Sequence, residues 1–367
     1  MVIRNLCARR TFWRGFCLAI LQCAAWGQVQ FLRNNSVLES LPSVTTSTIP
    51  ASNGDLNPYG VAFVPAGFPT GGRIAPGDVL VSNFNSSSNL GGTGTTIVGI
   101  SPSGRQSLFA TSSPIGLSTA LGVLSRGFVV VGNLPVTYPA GTVGQGSLQV
   151  FDRNGNLVTT FTDPTFLDSP WDLTIDDDGS TAQLFVSNAV SATVVRLDLS
   201  VNSGNVTIVN KTVVGSGFST AFMAGVIVVG PTGLAYNSAR DVLYVASTLD
   251  NAIFGIGNAA HRTTSAGTGF MVYTDPTNLH GPLGLTLAPN GNLITANGDA
   301  VNAVAGMQNE LVEFTQQGTL VAVFQLDSGA PGAAFGLAST FSMGTVRFAA
   351  VDDDQNTLTV WTLRPPF

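Results

Sequence analysis

The sequence predicts an all-β chain folded as a six-bladed β-propeller of four-stranded antiparallel blades, and three observations carry that expectation. Helix signals are nearly absent: beyond the first 27 residues no stretch keeps an i, i+3, i+4, i+7 apolar pattern free of Gly, Pro and β-branched runs. Short runs of Val, Ile, Thr, Phe and Leu recur instead, punctuated by the turn dipeptides Ser103-Gly104, Asn154-Gly155, Asp178-Gly179, Asn290-Gly291 and Gln317-Gly318. Finally, one phrase returns six times: a Gly or Pro turn, an apolar strand, a polar turn, and a second apolar strand ending in a small residue, often Asn.

In chain order the phrase opens at Asn57-Pro58-Tyr59-Gly60-Val61, at Leu121-Gly122-Val123, and at Ser169-Pro170-Trp171-Asp172-Leu173. It opens again at Gly230-Pro231-Thr232-Gly233-Leu234, His280-Gly281-Pro282-Leu283-Gly284-Leu285 and Ala334-Phe335-Gly336-Leu337. With Gly60, Gly122, Asp172, Gly233, Gly284 and Gly336 taken as equivalent, the steps are 62, 50, 61, 51 and 52 residues, which suits one four-stranded blade with its loops. The second strands are Val79–Asn83, Phe128–Asn133, Leu184–Asn188, Val242–Ser247, Leu293–Asn297 and Phe348–Asp352, and outer hairpins follow, as at Gly146–Phe151 with Leu157–Phe161 and Glu310–Phe314 with Leu320–Phe324. Ring closure is expected to pair Leu358–Leu363 with a strand drawn from Val29–Leu41. A chain of this length exceeds what one compact core usually serves, and stacked blades avoid that limit because each buries its faces on its neighbours.

Residues 1–27 read as an export signal: Arg4, Arg9, Arg10 and Arg14 precede the apolar run Phe16–Trp26, and Ala25-Trp26-Gly27 places small residues for cleavage before Gln28. Arg9–Arg14 also has the form of a twin-arginine signal, and Ile20–Cys23 loosely that of a lipoprotein box, against which stands the bulk of Gln22. Residues 28–367 are then a single propeller domain without cysteine, since Cys7, Cys17 and Cys23 all fall in the signal, and the expected destination is periplasmic or extracellular. No later run is apolar and long enough to span a bilayer. With 15 basic against 21 acidic residues and no basic cluster after residue 14, there is no electrostatic footprint for nucleic acid.

The repeated Pro-x-Gly-Leu/Val-Ala phrase, followed by a strand ending Ser/Ala-Asn, resembles the NHL-repeat propellers, and more narrowly exported bacterial NHL-like propeller proteins. The resemblance implies a fold far more than a function. Related propellers include gluconolactonase-like metal hydrolases, amidating lyases, strictosidine-synthase-like enzymes and pure binding modules. The metal shell implied by the first group includes a glutamate, yet Glu39, Glu310 and Glu313 all lie outside the opening phrases. The second implies three zinc histidines, and only His261 and His280 exist.

Sites in propellers form at a channel mouth, so Asn83, Asn133, Asp172, Asn188, His280 and Asn297 are the candidates for ligand binding. Converging, they could hold a divalent cation such as calcium or hydrogen-bond a sugar or lactone; the plainer reading is that each Asn bonds local backbone at a strand end. His280 is also a candidate general base. Asp176-Asp177-Asp178-Gly179 and Asp352-Asp353-Asp354 invite calcium, but with no closing glutamate they read more simply as solvated turns. No nucleophile elbow, phosphate loop or mature thiol is present. The two expectations are therefore a monomeric binding or scaffold module for a small molecule or protein partner, and a metal-dependent hydrolase or lyase acting on a small carbohydrate or lactone.

Overall fold

The computed structural model describes residues 36–38, 43–138, 142–223, 227–298, 310–328, 332–342 and 344–363. The signal segment and its cysteines lie outside these residues. The described residues form strands, turns and no helix, arranged as six four-stranded antiparallel sheets with two small added hairpins. The blades' innermost strands are Leu56–Phe63, Leu117–Leu124, Pro170–Asp177, Pro231–Asn237, Pro282–Leu287 and Ala334–Ser342, for blades 1 to 6 in turn. Each packs against the innermost strands of the preceding and following blades, and blade 6 meets blade 1, so the six close a ring around one axis. Gly104, Gly155, Gly179, Gly291 and Gly318, the glycines of the five turn dipeptides, all hold positive φ.

Blade 6 is completed from the other end of the chain. Its outermost strand is Ser43–Ser47, paired antiparallel with Thr357–Leu363 in the register Ser43 to Trp361 and Ser47 to Thr357. The closing strand thus lies just beyond the expected Val29–Leu41. It is polar and largely exposed, as suits an outer edge, and its Val and Thr residues supply β propensity without apolar alternation. Val37 and Leu38 are buried instead against blades 5 and 6, with Val37 N donating to the Glu313 carboxylate.

Every innermost strand carries a bulge near its start, where its register against the second strand slips. The bulge corrects one equivalence. In blade 2 the pairs Leu117–Asn133 and Leu121–Val131 put Ala120, not Gly122, in the place of Gly60, Asp172, Gly233, Gly284 and Gly336. At that place the chain presses on the backbone of the next blade: a Cβ on Gly60 would stand 2.6 Å from the Thr119 carbonyl oxygen, and one on Gly336 would overlap that of Tyr59. Gly122 instead faces the side-chain ends of Leu173 and Ile175.

Candidate functional site

The face on which the innermost strands begin is called upper here. Asn83, Asn133, Asn188 and Asn297 occupy one structural position on it, the upper end of the second strand in blades 1, 2, 3 and 5, and all four are buried. Each amide donates to a main-chain carbonyl of the segment that leads in from the preceding blade: Asn83 to Thr48 O (3.0 Å), Asn133 to Pro114 O (2.9 Å), Asn188 to Phe166 O (3.0 Å) and Asn297 to Asn278 O (2.8 Å). The carbonyl ends of Asn188 and Asn297 accept the main-chain N–H of Ser169 and His280. These amides lash each incoming connection to its blade. Ser247 and Asp352 stand at the same position in blades 4 and 6, with partners in their own turns, Asp250 and Gln355 N.

His280 belongs to the lash of blade 5: its ring Nε2 lies 3.0 Å from Thr277 O, and its side chain is buried in the connection rather than on the channel. Asp177, in the acidic turn of blade 3, accepts Ser125 N (2.6 Å) and Gly179 N (2.7 Å), so its carboxylate secures that turn. Burial pushes the Asp352 carboxyl up to about 6, against the opposing hydrogen bond from Gln355 N. Among the described residues no group of three or more His, Cys, Asp or Glu side chains is placed to share a metal ion.

Large residues close the upper mouth of the channel. Tyr59, Trp171, Leu283 and Phe335 each stand one residue before the bulge position of blades 1, 3, 5 and 6, and all are buried in one cluster. The Tyr59 ring stacks on Phe335 with centroids 4.2 Å apart and on Phe84 at 4.4 Å. It also reaches Trp171 at 6.3 Å. Blades 1 and 3 are not neighbours, so that last contact crosses the axis and plugs it. The sequence signal for this plug is the large apolar residue just before the recurring glycine or Asp172, as at Tyr59, Trp171, Leu283 and Phe335.

Below the plug, the six innermost strands enclose a channel of about 300 Å³, open at the lower face and lined by short stretches of every blade, from Val61 and Ala62 round to Leu337–Ser339. An innermost strand has a partner on one side only, so free main-chain N–H and C=O groups of its inner edge face the axis. Asp172 is the one carboxyl among the lining residues and sits directly beneath Trp171. Its Oδ1 accepts Leu173 N (2.8 Å) and its Oδ2 accepts Leu234 N of blade 4 (3.1 Å), so a carboxylate spans the seam where blades 1, 4, 5 and 6 carry glycine. Burial away from solvent raises its pKa to about 7, against the lowering effect of these two hydrogen bonds. Of the six candidates the structure places this one on the channel; Asn83, Asn133, Asn188, His280 and Asn297 are apportioned to separate lashes around the rim.

No protein-family model matches the chain, and no curated protein sequence matches it. Solved structures do. The chain is similar to a gluconolactonase from Xanthomonas campestris, at 14% identity and a TM-score of 0.55, covering 90% of this chain and 94% of that one. It is similar to the major Malassezia sympodialis allergen Mala s 1, at 11% identity and a TM-score of 0.57, over 88% and 96% of the two chains. A third likeness is to regucalcin, a calcium-binding protein of Agrobacterium tumefaciens, at 14% identity and a TM-score of 0.51, over 88% and 95%. At such identities the likeness is one of fold.

Proposed function

We propose that the chain is an exported binding propeller that retains a small polar molecule at the open lower end of its channel without transforming it. The observation that supports this reading is the setting of Asp172: among the described residues no imidazole, second carboxylate, lysine or arginine shares the lining with it, and both of its oxygens are held by main-chain N–H groups. A lone carboxyl in a sleeve of main-chain donors and acceptors can orient a ligand, whereas acid–base turnover needs a second group within proton-transfer reach. The arginine-rich, apolar segment of residues 1–27 supports export, and N-terminal sequencing of the secreted protein tests cleavage after Gly27.

The second reading, a hydrolase or lyase acting on a small carbohydrate or lactone with a divalent cation, draws on Asp172, whose carboxyl titrates near neutrality. The shell expected for that cation does not fit: Asn188 and Asn297 spend their amides on Phe166 O and Asn278 O, and His280 is directed at Thr277 O. Thermal-shift screening of sugars, lactones and amines, run beside a lactone and ester turnover panel and metal analysis after dialysis, separates the two. Saturable binding without turnover, weakened by Asp172→Asn, is expected. Turnover that disappears in Asp172→Asn, or stoichiometric calcium whose removal lowers the thermal midpoint, overturns the binding reading.

A further inference from the structure

Blade 6 meets blade 1 at the seam that Ser43–Ser47 closes, and on that seam stands a cation with no counter-charge in contact among the described residues. Along the second strand of blade 6, Val346, Phe348 and Ala350 pack in the cluster that contains residues of blade 5, while Ala349 and Val351 pack in the cluster that contains residues of blade 1. Strand alternation therefore turns Arg347 toward blade 1. Its guanidinium lies 4.8 Å over the Phe63 ring and donates to Gly77 O at 2.5 Å. Among the described residues no carboxylate lies within 4.0 Å of it; the ion pairs there are Arg196–Asp198, Lys211–Asp163 and His261–Asp241. Asp78 is the acidic group that acts on it through space, with one oxygen of its own engaged by Ala75 N at 2.8 Å. At the same strand position, five residues before the lash, the other blades carry Asp78, Phe128, Gln183, Val242 and Asn292, so the cation is particular to this seam.

Beside Arg347 the two sheets part to leave a cleft of about 420 Å³, within the range of small-molecule sites. Phe63, Ile100 and Val360 give it an apolar wall, and Thr340, Ser342 and Thr345 line its rim with hydroxyls. A half-buried guanidinium is costly without an anionic partner, and a planar carboxylate meets its remaining N–H groups two at a time. Asp78 opposes any anion here, and the second charge of a phosphate dianion would about double that repulsion.

We propose that the seam cleft binds a small amphipathic carboxylate, the acid group on the Arg347 guanidinium and the apolar body along Phe63, Ile100 and Val360. The test is calorimetric or fluorescence titration of the full chain with 2-naphthoate and its neutral isostere 2-naphthamide. The acid is expected to bind saturably and at least about tenfold tighter than the amide, and Arg347→Gln to abolish that preference. Equal binding of acid and amide, no saturable binding up to about millimolar acid, or retention of the preference in folded Arg347→Gln overturns the proposal. The acid–amide comparison in the unaltered protein decides the matter even if the variant fails to fold.

Discussion

The two ends of the channel are built from the same six strands and behave as opposites. At the upper end, bulges push backbone against backbone, side chains of Tyr59, Trp171, Leu283 and Phe335 fill the axis, and buried amides lash the connections. At the lower end no lash and no plug recur among the described residues; the inner strand edges line an open channel, and side chains at the seams vary from blade to blade. The difference teaches that in this chain the axial plug and the lashes gather at one face, while the opposite face keeps an open channel.

The largest difference between the ends should appear on truncation. Trp171→Ala removes a buried indole that bridges the axis and is expected to cost about 4 kcal/mol in chemical denaturation, against about 1 kcal/mol for Leu287→Ala at the half-exposed lower mouth. Near-equal losses would show that the plug is not where the ring is held shut. A methyl group added to glycine should discriminate almost as well. Gly336→Ala drives a Cβ into the fixed Tyr59 carbonyl and is expected to cost about 3 kcal/mol, while Gly122→Ala meets the ends of the Leu173 and Ile175 side chains, which can turn aside for about 1 kcal/mol.

Those contrasts mark where the sequence was legible. The blade grammar was, because an innermost strand crowded on its neighbour needs glycine and a tight hairpin needs positive φ, and both leave letters in the chain. The slip from Ala120 to Gly122 arose where alanine, fully buried, fills the glycine's place and a nearby glycine mimics it. The closing strand was misplaced by a few residues because Ser43–Ser47 is an exposed edge whose pattern reports β propensity and no core. Of the site, Asp172 was legible as the one carboxylate in a glycine position. The fates of Asn188 and Asn297 were not, since their partners Phe166 O and Asn278 O are main-chain atoms that carry no side-chain signature. Arg347 was equally silent: only strand register against blade 1 reveals what it faces.

A lash should be worth less than the plug. Asn188→Ala strands the Phe166 carbonyl and the Ser169 N–H in a buried place and is expected to cost about 2 kcal/mol, with urea denaturation as the readout. A loss below about 0.5 kcal/mol would mean that water takes over the amide's role and that the recurring Asn serves something other than the fold.

The smallest expected effect lies between the two ends, at Asp172, and concerns pH. An unfolded aspartate titrates near 3.8 and the folded one near 7, so between these values the native state holds more protons than the unfolded state. Stability then falls as pH rises from about 4 to about 7 and is level above, the reverse of a carboxylate held in an ion pair. Full conversion of the shift would give about 4 kcal/mol, but the side chain keeps some exposure to channel water, so about 1 to 2 kcal/mol is the expected share. Glu310, pushed up to about 7 by burial, and Asp352, pushed up to about 6, act in the same window and remain in the variant. The difference between the unaltered protein and Asp172→Asn therefore isolates one group: the variant should lose less stability between pH 4 and 7 by that amount. Parallel pH profiles for the two proteins would place Asp172 in solvent contact at both pH values, extending the wet lower end of the channel up to the underside of Trp171.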